Sequence, residues 1–444
     1  MNGDNIKKNE SRAWIVYILI FLFPFEIYRV HLSIGIRLTP FHAFAIIAFF
    51  FVLILNLSGK ISIRKSVISS LLLLYIFSGF LSLLAVENLF PAVRGLCTHF
   101  ILFSTFVCVI SLINHKKELE NALTACIVIG MIVSAVALTQ FFGFVLFGKM
   151  FFVPFIDYSH LDYWELIHKG GFGFMGGLMR PSAFFASKTR MGSYLLIPFG
   201  ISLCRLFYTH KHKVVYSVTT FILFLSIIIS VARNAWISLI VFFGALIFFN
   251  KLDKYLENGV RIFLFFITIL MLVVLYAHNQ FSDVLFLERL NPFNYQMTGE
   301  DQSIFISHLK AAVNGNIETL GLGKGIQNFD DWAYYNGYVK EWGSHSNFII
   351  FLGETGVLGL LSQLLIVFFV LKIGLRDYIF MKHTGENKAA MLSLFMVSIY
   401  CGLVVSGIIR TFYYAESTFI LVAILMRHVA INKKEFHQVH HSSF

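Results

Sequence analysis

Residues 127–146 read IVIGMIVSAVALTQFFGFVL, a stretch without a single charged side chain. At a rise of about 1.5 Å per residue, a helix of this length crosses the ~30 Å hydrocarbon core of a bilayer. A membrane-spanning strand needs only about ten residues of alternating polarity, whereas this apolar run is continuous. The stretch therefore predicts a membrane-spanning helix.

The whole chain has the same character. Of its 444 residues, 57% are hydrophobic and only 13% are charged, and its mean hydropathy is +0.76. Because soluble domains carry about 25% charged residues, this composition excludes a soluble enzyme. A window of about 19 residues finds about twelve apolar stretches that could cross a bilayer. Their centres lie near Leu22, Phe49, Leu74, Thr105, Val133, Ile197, Leu223, Val241, Leu270, Leu361, Met396 and Val422.

The polar sequence is concentrated in two long loops, residues 149–190 and residues 278–345. The second loop contains several aromatic residues and a predicted short helix, Ser303–Ala312, so we expect it to form a partly helical cap before the tenth span. No internal repeat or linker divides residues 1–444, and the chain is predicted to be one all-α polytopic membrane domain. Residues 431–444 are predicted to be a cytoplasmic tail, in which residues 432–444 are expected to be solvated and disordered.

The net charge of +11 is explained by topology. Most basic residues lie in alternate short segments between apolar runs, which is the positive-inside pattern. It places both termini in the cytoplasm and the two long loops on the opposite face, and it indicates anionic lipid rather than nucleic acid as the partner of the basic residues. The five cysteines lie in or beside apolar runs without CxxC spacing, so neither a disulfide framework nor a thiolate metal site is predicted.

Charged side chains at the non-cytoplasmic ends of the spans need a partner or a function. Arg233 lies in SVARNAW, at a very short hairpin, and anion binding is favoured there over snorkelling. Arg180 opens RPSAFFASKTR, with Lys188 and Arg190 close behind, and interfacial anchoring is the alternative for all three.

Further candidates lie near the tenth and twelfth spans. His345 follows a Gly-Ser break in GSHSNF at the entry of the tenth span, and Glu354 lies further along and is free to pair with an arginine. Arg289 in FLERLNPF is favoured to pair with a loop acid, and Arg410 in IRTFYYAE to pair with Glu416. The glycines of GLGKG predict a tight turn rather than a nucleotide site, because Walker spacing is missing.

The segment GLGKGIQNF, followed after a spacer by HSNFIIFLGETGVLG, resembles the signature of the O-antigen polymerase and O-antigen ligase superfamily. That signature has a Gly-x-Gly turn, a His-Asn or His-Ser pair and then Glu-x-Gly-x-x-Gly. Upstream, RPSAFFAS is similar to the family's Arg-x-Ser-Gly-x-Phe segment, and SVARNAWISL to its Ser-x-x-Arg segment. Ala183, Ser187 with Lys188, and Ser346 depart from the family's common Gly, Asn-Pro and Asn.

The resemblance implies a GT-C-like fold of about twelve spans in a bacterial inner membrane, with the active site facing the periplasm. The activity it implies is a metal-independent, inverting glycosyltransferase that moves a glycan from undecaprenyl diphosphate to a sugar hydroxyl. A polymerase is favoured, and a ligase acting on lipid A-core is the alternative. Membrane lipid and a chain-length regulator protein are the implied partners, without nucleic acid or cofactor.

The resemblance also assigns roles to residues. Two guanidinium groups suit a diphosphate leaving group, so Arg180 and Arg233 are the expected clamp. His345 is expected to act as the base or to orient the acceptor hydroxyl. No carboxylate cluster lies at the arginine segments, so no metal is expected. The further substrate-binding candidates are Arg190, Lys188, Glu354, Arg289 and Arg410.

A lipid-linked oligosaccharide flippase or other carrier is the main alternative from another class. It predicts broken helices with polar residues at mid-membrane and two halves of similar pattern. The long loop before the tenth span has no counterpart in the first half of the chain, which disfavours that class.

Overall fold

The computed structural model describes residues 12–26, 28, 30–31, 37–147, 173–175, 178–185, 187–209, 212–230, 232–249, 299–339, 346–409 and 416–441. These residues form thirteen α-helices, a single 3-10 turn and two short antiparallel strand pairs. The helices are α1 (Trp14–Leu22), α2 (Pro40–Leu57), α3 (Val67–Ser82), α4 (Leu89–Leu112), α5 (Lys116–Phe147), α6 (Lys188–Tyr208), α7 (Lys213–Ile229), α8 (Arg233–Phe249), α9 (Gly299–Glu318), α10 (Phe329–Tyr335), α11 (Asn347–His383), α12 (Asn387–Ile409) and α13 (Glu416–His441). The strand pairs are β1 (Val30–His31) with β2 (Arg37–Leu38), and β3 (Gly173–Met175) with β4 (Leu178–Arg180).

The architecture is that of a helical membrane protein, as predicted. In the described part of the chain, seven helices are long and apolar enough to cross a bilayer, namely α2, α3, α4, α5, α6, α11 and α12. The helices α7 and α8 are apolar but shorter. Every predicted span centre except Leu270 lies in a described helix, and Leu270 lies outside the described residues. The count of twelve spans stays a prediction.

Helix starts follow from capping side chains in the sequence. Thr39 precedes Pro40, the first residue of α2, and its Oγ1 accepts the backbone N–H of His42 at 3.2 Å. Ser66 and Ser69 form a capping box at the start of α3. A side-chain acceptor at this position satisfies a backbone donor that has no partner within the helix.

The helices approach closely where glycines remove the side chain. A methyl group at Gly130 of α5 would lie 2.5 Å from Pro198 Cβ of α6. At Gly374 of α11, it would lie 2.3 Å from Val397 of α12. Lipid gives no hydrophobic drive for helix association, so close packing of this kind at small residues holds membrane helices together.

Part of the predicted cap is described, and it has its own small core. The helix predicted at Ser303–Ala312 is confirmed and is longer, because α9 covers Gly299–Glu318. Phe329 and Trp332 of α10 are buried against α9 and against Ile349 of α11. The cap therefore packs on the start of a membrane helix instead of standing apart from it.

The expectation of a disordered tail from residue 432 is wrong, because α13 continues through Asn432 to His441. Asn432 is buried, and its Nδ2 donates to Asp377 Oδ2 of α11 at 3.0 Å. Ser393 of α12 donates to the same oxygen at 2.6 Å. This buried carboxylate ties three helices together, and Asn432 at the start of the predicted tail is part of that contact.

Replacing Gly130 by Ala should destabilise the protein by about 1–3 kcal/mol, because the added methyl group overlaps the rigid ring of Pro198. Gly244→Ala is the matched control, since no atom lies within 4 Å of a methyl group there and Ala favours the helix. Thermal unfolding of both purified variants in one detergent measures the difference. Equal melting temperatures would contradict the packing argument.

Candidate functional site

The long helix α11 is broken at Gly356, whose φ of 72° and ψ of −165° suit only glycine. The break removes hydrogen bonds that a continuous helix would make for itself. The backbone N–H groups of Lys324 and Gly325 donate to the carbonyl oxygens of Gly353 and Glu354, at 2.7 and 3.0 Å. The N–H of Val357 donates to Gly321 O at 3.0 Å. Residues 321–325, called the glycine loop below, therefore replace the missing helix bonds.

The glycines of this loop are required by conformation and by space. Gly321, Gly323 and Gly325 have φ values of 87°, 80° and 91°. A methyl group at Gly323 would lie 2.7 Å from the carbonyl oxygen of Glu354. The predicted tight turn is confirmed. A phosphate loop offers free N–H groups to its ligand, whereas two of the N–H groups here are occupied by α11.

Glu354 is buried, with 4% of its surface exposed, and its Oε1 accepts the backbone N–H of Gln327 at 2.8 Å. The Gln327 side chain in turn accepts a hydrogen bond from Arg94 Nε of α4 at 2.9 Å. The carboxylate thus holds the segment after the glycine loop, and an arginine is linked to it through Gln327. The predicted role of Glu354 in substrate binding stays a prediction beside this structural role.

Arg94 is not among the candidate residues that sequence analysis selects. It lies near the start of α4, and it contacts Gln327 in the segment after the glycine loop. The rule used for the other arginines, that a charge at the edge of a span needs a partner or a function, would have selected it.

Lys324 of GLGKG contacts other parts of the cap. Its Nζ lies 2.5 Å from Glu318 Oε2 and 4.3 Å from the centre of the Trp332 ring. An ion pair with a cation–π contact on a partly buried lysine joins the loop to α9 and α10.

Arg190 in the first turn of α6 forms an ion pair with Glu26, at 3.0 Å between Nη1 and Oε2. Glu26 follows α1 and is buried, and sequence analysis did not select it. The only signal was an acid just after the first span. The structure gives Arg190 a structural partner, and its predicted contact with substrate stays a prediction, as does that of Lys188, the first residue of α6.

Arg180 ends β4, where its backbone pairs with Gly173. Its side chain is outside the described part of the structure. The next residues turn into the bundle: Ala183 is buried, and its N–H donates to Gln140 Oε1 of α5 at 3.0 Å. Ala183 has a φ of 47°, a left-handed conformation that glycine adopts more easily than alanine.

The segments with the remaining candidates meet at one end of the bundle. A methyl group at Gly192, near the start of α6, would lie 2.7 Å from Ala235 in the first turn of α8. Ser193 Oγ lies 3.3 Å from Ser406 Oγ near the end of α12. A methyl group at Gly407 would lie 2.6 Å from Asn347 Nδ2, at the start of α11.

This arrangement brings together the backbone positions next to several predicted site residues. Arg233 is the first residue of α8, and its side chain is not described. His345, Arg289 and Arg410 lie outside the described residues. The convergence of the two guanidinium groups and the imidazole stays a prediction.

Comparisons with protein-family models and with curated proteins found no match.

Gly356→Ala should destabilise the cap strongly, because the new methyl group would lie 1.9 Å from Gly321 O, the acceptor for Val357. Gly385→Ala is the matched control, since Gly385 also has a positive φ, of 81°, but no atom lies within 4 Å. The control should lose about 1–2 kcal/mol from backbone strain alone. Limited proteolysis of the segment 299–339, together with thermal unfolding, measures the difference. Equal protease sensitivity and equal melting temperatures of the two variants would contradict the conclusion that the glycine loop supplies the hydrogen bonds missing at the break.

Proposed function

We propose that the protein is a glycosyltransferase of the O-antigen polymerase type. It moves a glycan from undecaprenyl diphosphate to a sugar hydroxyl on the periplasmic side of a bacterial inner membrane. The observation that carries the proposal is the meeting of α6, α8, α11 and α12 at one end of the bundle, because each adjoins a predicted site residue. A ligase that acts on lipid A-core is the alternative within the class.

The proposed reaction forms one bond and breaks another. The acceptor oxygen attacks the anomeric carbon, and the bond from that carbon to the diphosphate oxygen breaks with its electron pair on the diphosphate. Arg180 and Arg233 bind this growing negative charge, and His345 takes the hydroxyl proton. In the alternative, His345 only orients the hydroxyl, and the proton passes to the departing diphosphate. Inversion at the anomeric carbon follows from a single displacement.

The proposed topology has twelve spans with both termini in the cytoplasm, a GT-C-like arrangement. Its support is the distribution of basic residues along the chain. In that orientation the starts of α6, α8 and α11 face the periplasm, and the glycine loop and cap lie on the same side.

The break in α11 favours a second candidate, a flippase for the same lipid-linked glycans, because carriers bind their cargo at broken helices. Carriers use the freed backbone groups for the cargo. Here the carbonyls of Gly353 and Glu354 and the N–H of Val357 are already bonded to the glycine loop. The transferase is therefore the better-supported proposal.

Arg233→Ala should lower glycan transfer by roughly 10²–10³-fold, the effect of losing one contact to the charge that develops in the transition state. Arg376→Ala is the control, since Arg376 is exposed near the opposite end of α11. Glycan transfer is measured with the purified variants at equal protein concentration. Normal transfer by Arg233→Ala would contradict the proposed binding of the diphosphate by Arg180 and Arg233.

Deletion of the gene should leave lipopolysaccharide whose core carries a single repeat unit, because a polymerase is lost while ligation continues. Lipopolysaccharide gels of the deletion strain measure this. Bare core with lipid-linked polymer would instead indicate the ligase. Bare core with only lipid-linked single units, held on the cytoplasmic side, would indicate the flippase.

Transfer by the purified protein should continue in EDTA, because the arginine segments contain no carboxylate cluster to hold a divalent metal ion. The assay compares rates with and without chelator. Loss of activity in EDTA with recovery in Mg²⁺ or Mn²⁺ would contradict a clamp made of guanidinium groups alone.

A further inference from the structure

A lateral groove of about 500 Å³ lies between α5, α6 and α7, far from the candidate site. Its walls are apolar along α5, where Val128 and Ile132 are 53% and 38% exposed, and along α7, where Val215 is 60% exposed. This volume is within the range of small-molecule sites. In a bilayer, such an open apolar groove is in contact with acyl chains.

The length of the groove matches one leaflet. Its lining on α5 runs from Thr124 to Ala135, which is about 16 Å of helix at 1.5 Å per residue. Half of a ~30 Å hydrocarbon core is about 15 Å. The groove therefore extends from headgroup level to about the middle of the bilayer.

The polar end of the groove carries a fixed guanidinium group. Arg205, in the last turn of α6, donates from Nη1 to Thr124 Oγ1 at 2.9 Å and from Nη2 to Glu120 Oε2 at 2.8 Å. Its Nη1 also lies 3.4 Å from Tyr216 OH of α7. These contacts fix the cation at the rim, at the end of α6 opposite the candidate site.

The rim has excess positive charge. His212 lines the rim, and Lys213, the first residue of α7, follows it and lies one helical turn before the lining residue Tyr216. Lys213 is exposed and forms no ion pair within the described parts of the chain. Glu120, with 50% of its side chain exposed, neutralises only one of the two permanent cations. An apolar channel one leaflet deep that ends at a net positive rim is complementary to a lipid with a phosphate headgroup.

We propose that this groove binds one acyl chain of an anionic glycerophospholipid, with the headgroup phosphate at Lys213. The lipid belongs to the leaflet opposite the candidate site, so it is separate from any glycan donor. By bridging α5 and α7 beside α6, it stabilises this side of the bundle. The inference stands independently of the proposed function.

Binding of phosphatidylglycerol and phosphatidylcholine to the purified full-length protein, titrated by native mass spectrometry, tests the proposal. The protein should bind phosphatidylglycerol more tightly. Lys213→Gln should weaken phosphatidylglycerol binding about fivefold, the effect of one basic residue near a lipid surface, and leave phosphatidylcholine binding unchanged. Lys65→Gln, an exposed lysine in the segment before α3, is the charge control and should bind as the parent does.

Ala135→Trp tests the groove itself, because the large side chain fills its inner end and should remove the tightly bound phosphatidylglycerol. Ile54→Trp, at a 63% exposed position on α2, is the matched control and should keep it. Equal binding by Lys213→Gln and Lys65→Gln, or retention of the lipid by Ala135→Trp, would overturn the proposal. Binding of undecaprenyl phosphate in place of phosphatidylglycerol would also overturn it.

Discussion

The hydrogen bonds between the glycine loop and α11 are the constraint on which the cap and the start of α11 depend. Hydrocarbon offers no water to a carbonyl or N–H that leaves a helix, and each unpaired group costs several kcal/mol there. A break at Gly356 is stable because residues 321–325 supply two donors and one acceptor at the positions that the helix lacks. The break and the loop therefore require each other.

This mutual requirement makes the cap part of the membrane domain. Asn316 of α9 donates to Leu352 O at 2.7 Å, and the ring of Phe329 lies against Gly353, where no side chain could fit. The first two turns of α11 are thus held from outside the bundle. The start of α11, next to His345, is therefore positioned by the cap as well as by α12. A site at that position depends on the cap even where no cap residue touches the substrate.

Sequence reasoning succeeded where the signal is local. Hydropathy found the helices because each span must be apolar along its own length, and GLGKG predicted a turn because glycine alone tolerates its φ values. It failed where a partner is distant. The carboxylate of Glu354 accepts the backbone N–H of Gln327. Every residue type except proline has such an N–H, so the sequence does not reveal this partner. Asn432 was interpreted as solvated because its partner, Asp377, lies on another helix.

At the candidate end of the bundle, sequence reasoning also failed to identify a distant partner of a charged residue. This affects which arginines can bind an anion. The sequence places several arginines at the edges of the spans, but it cannot say which of them are already neutralised. Glu26 neutralises Arg190, and a paired guanidinium contributes less to the binding of a second anion. The proposed clamp is therefore assigned to Arg180 and Arg233 and not to Arg190, which fixes α6 against the segment after α1.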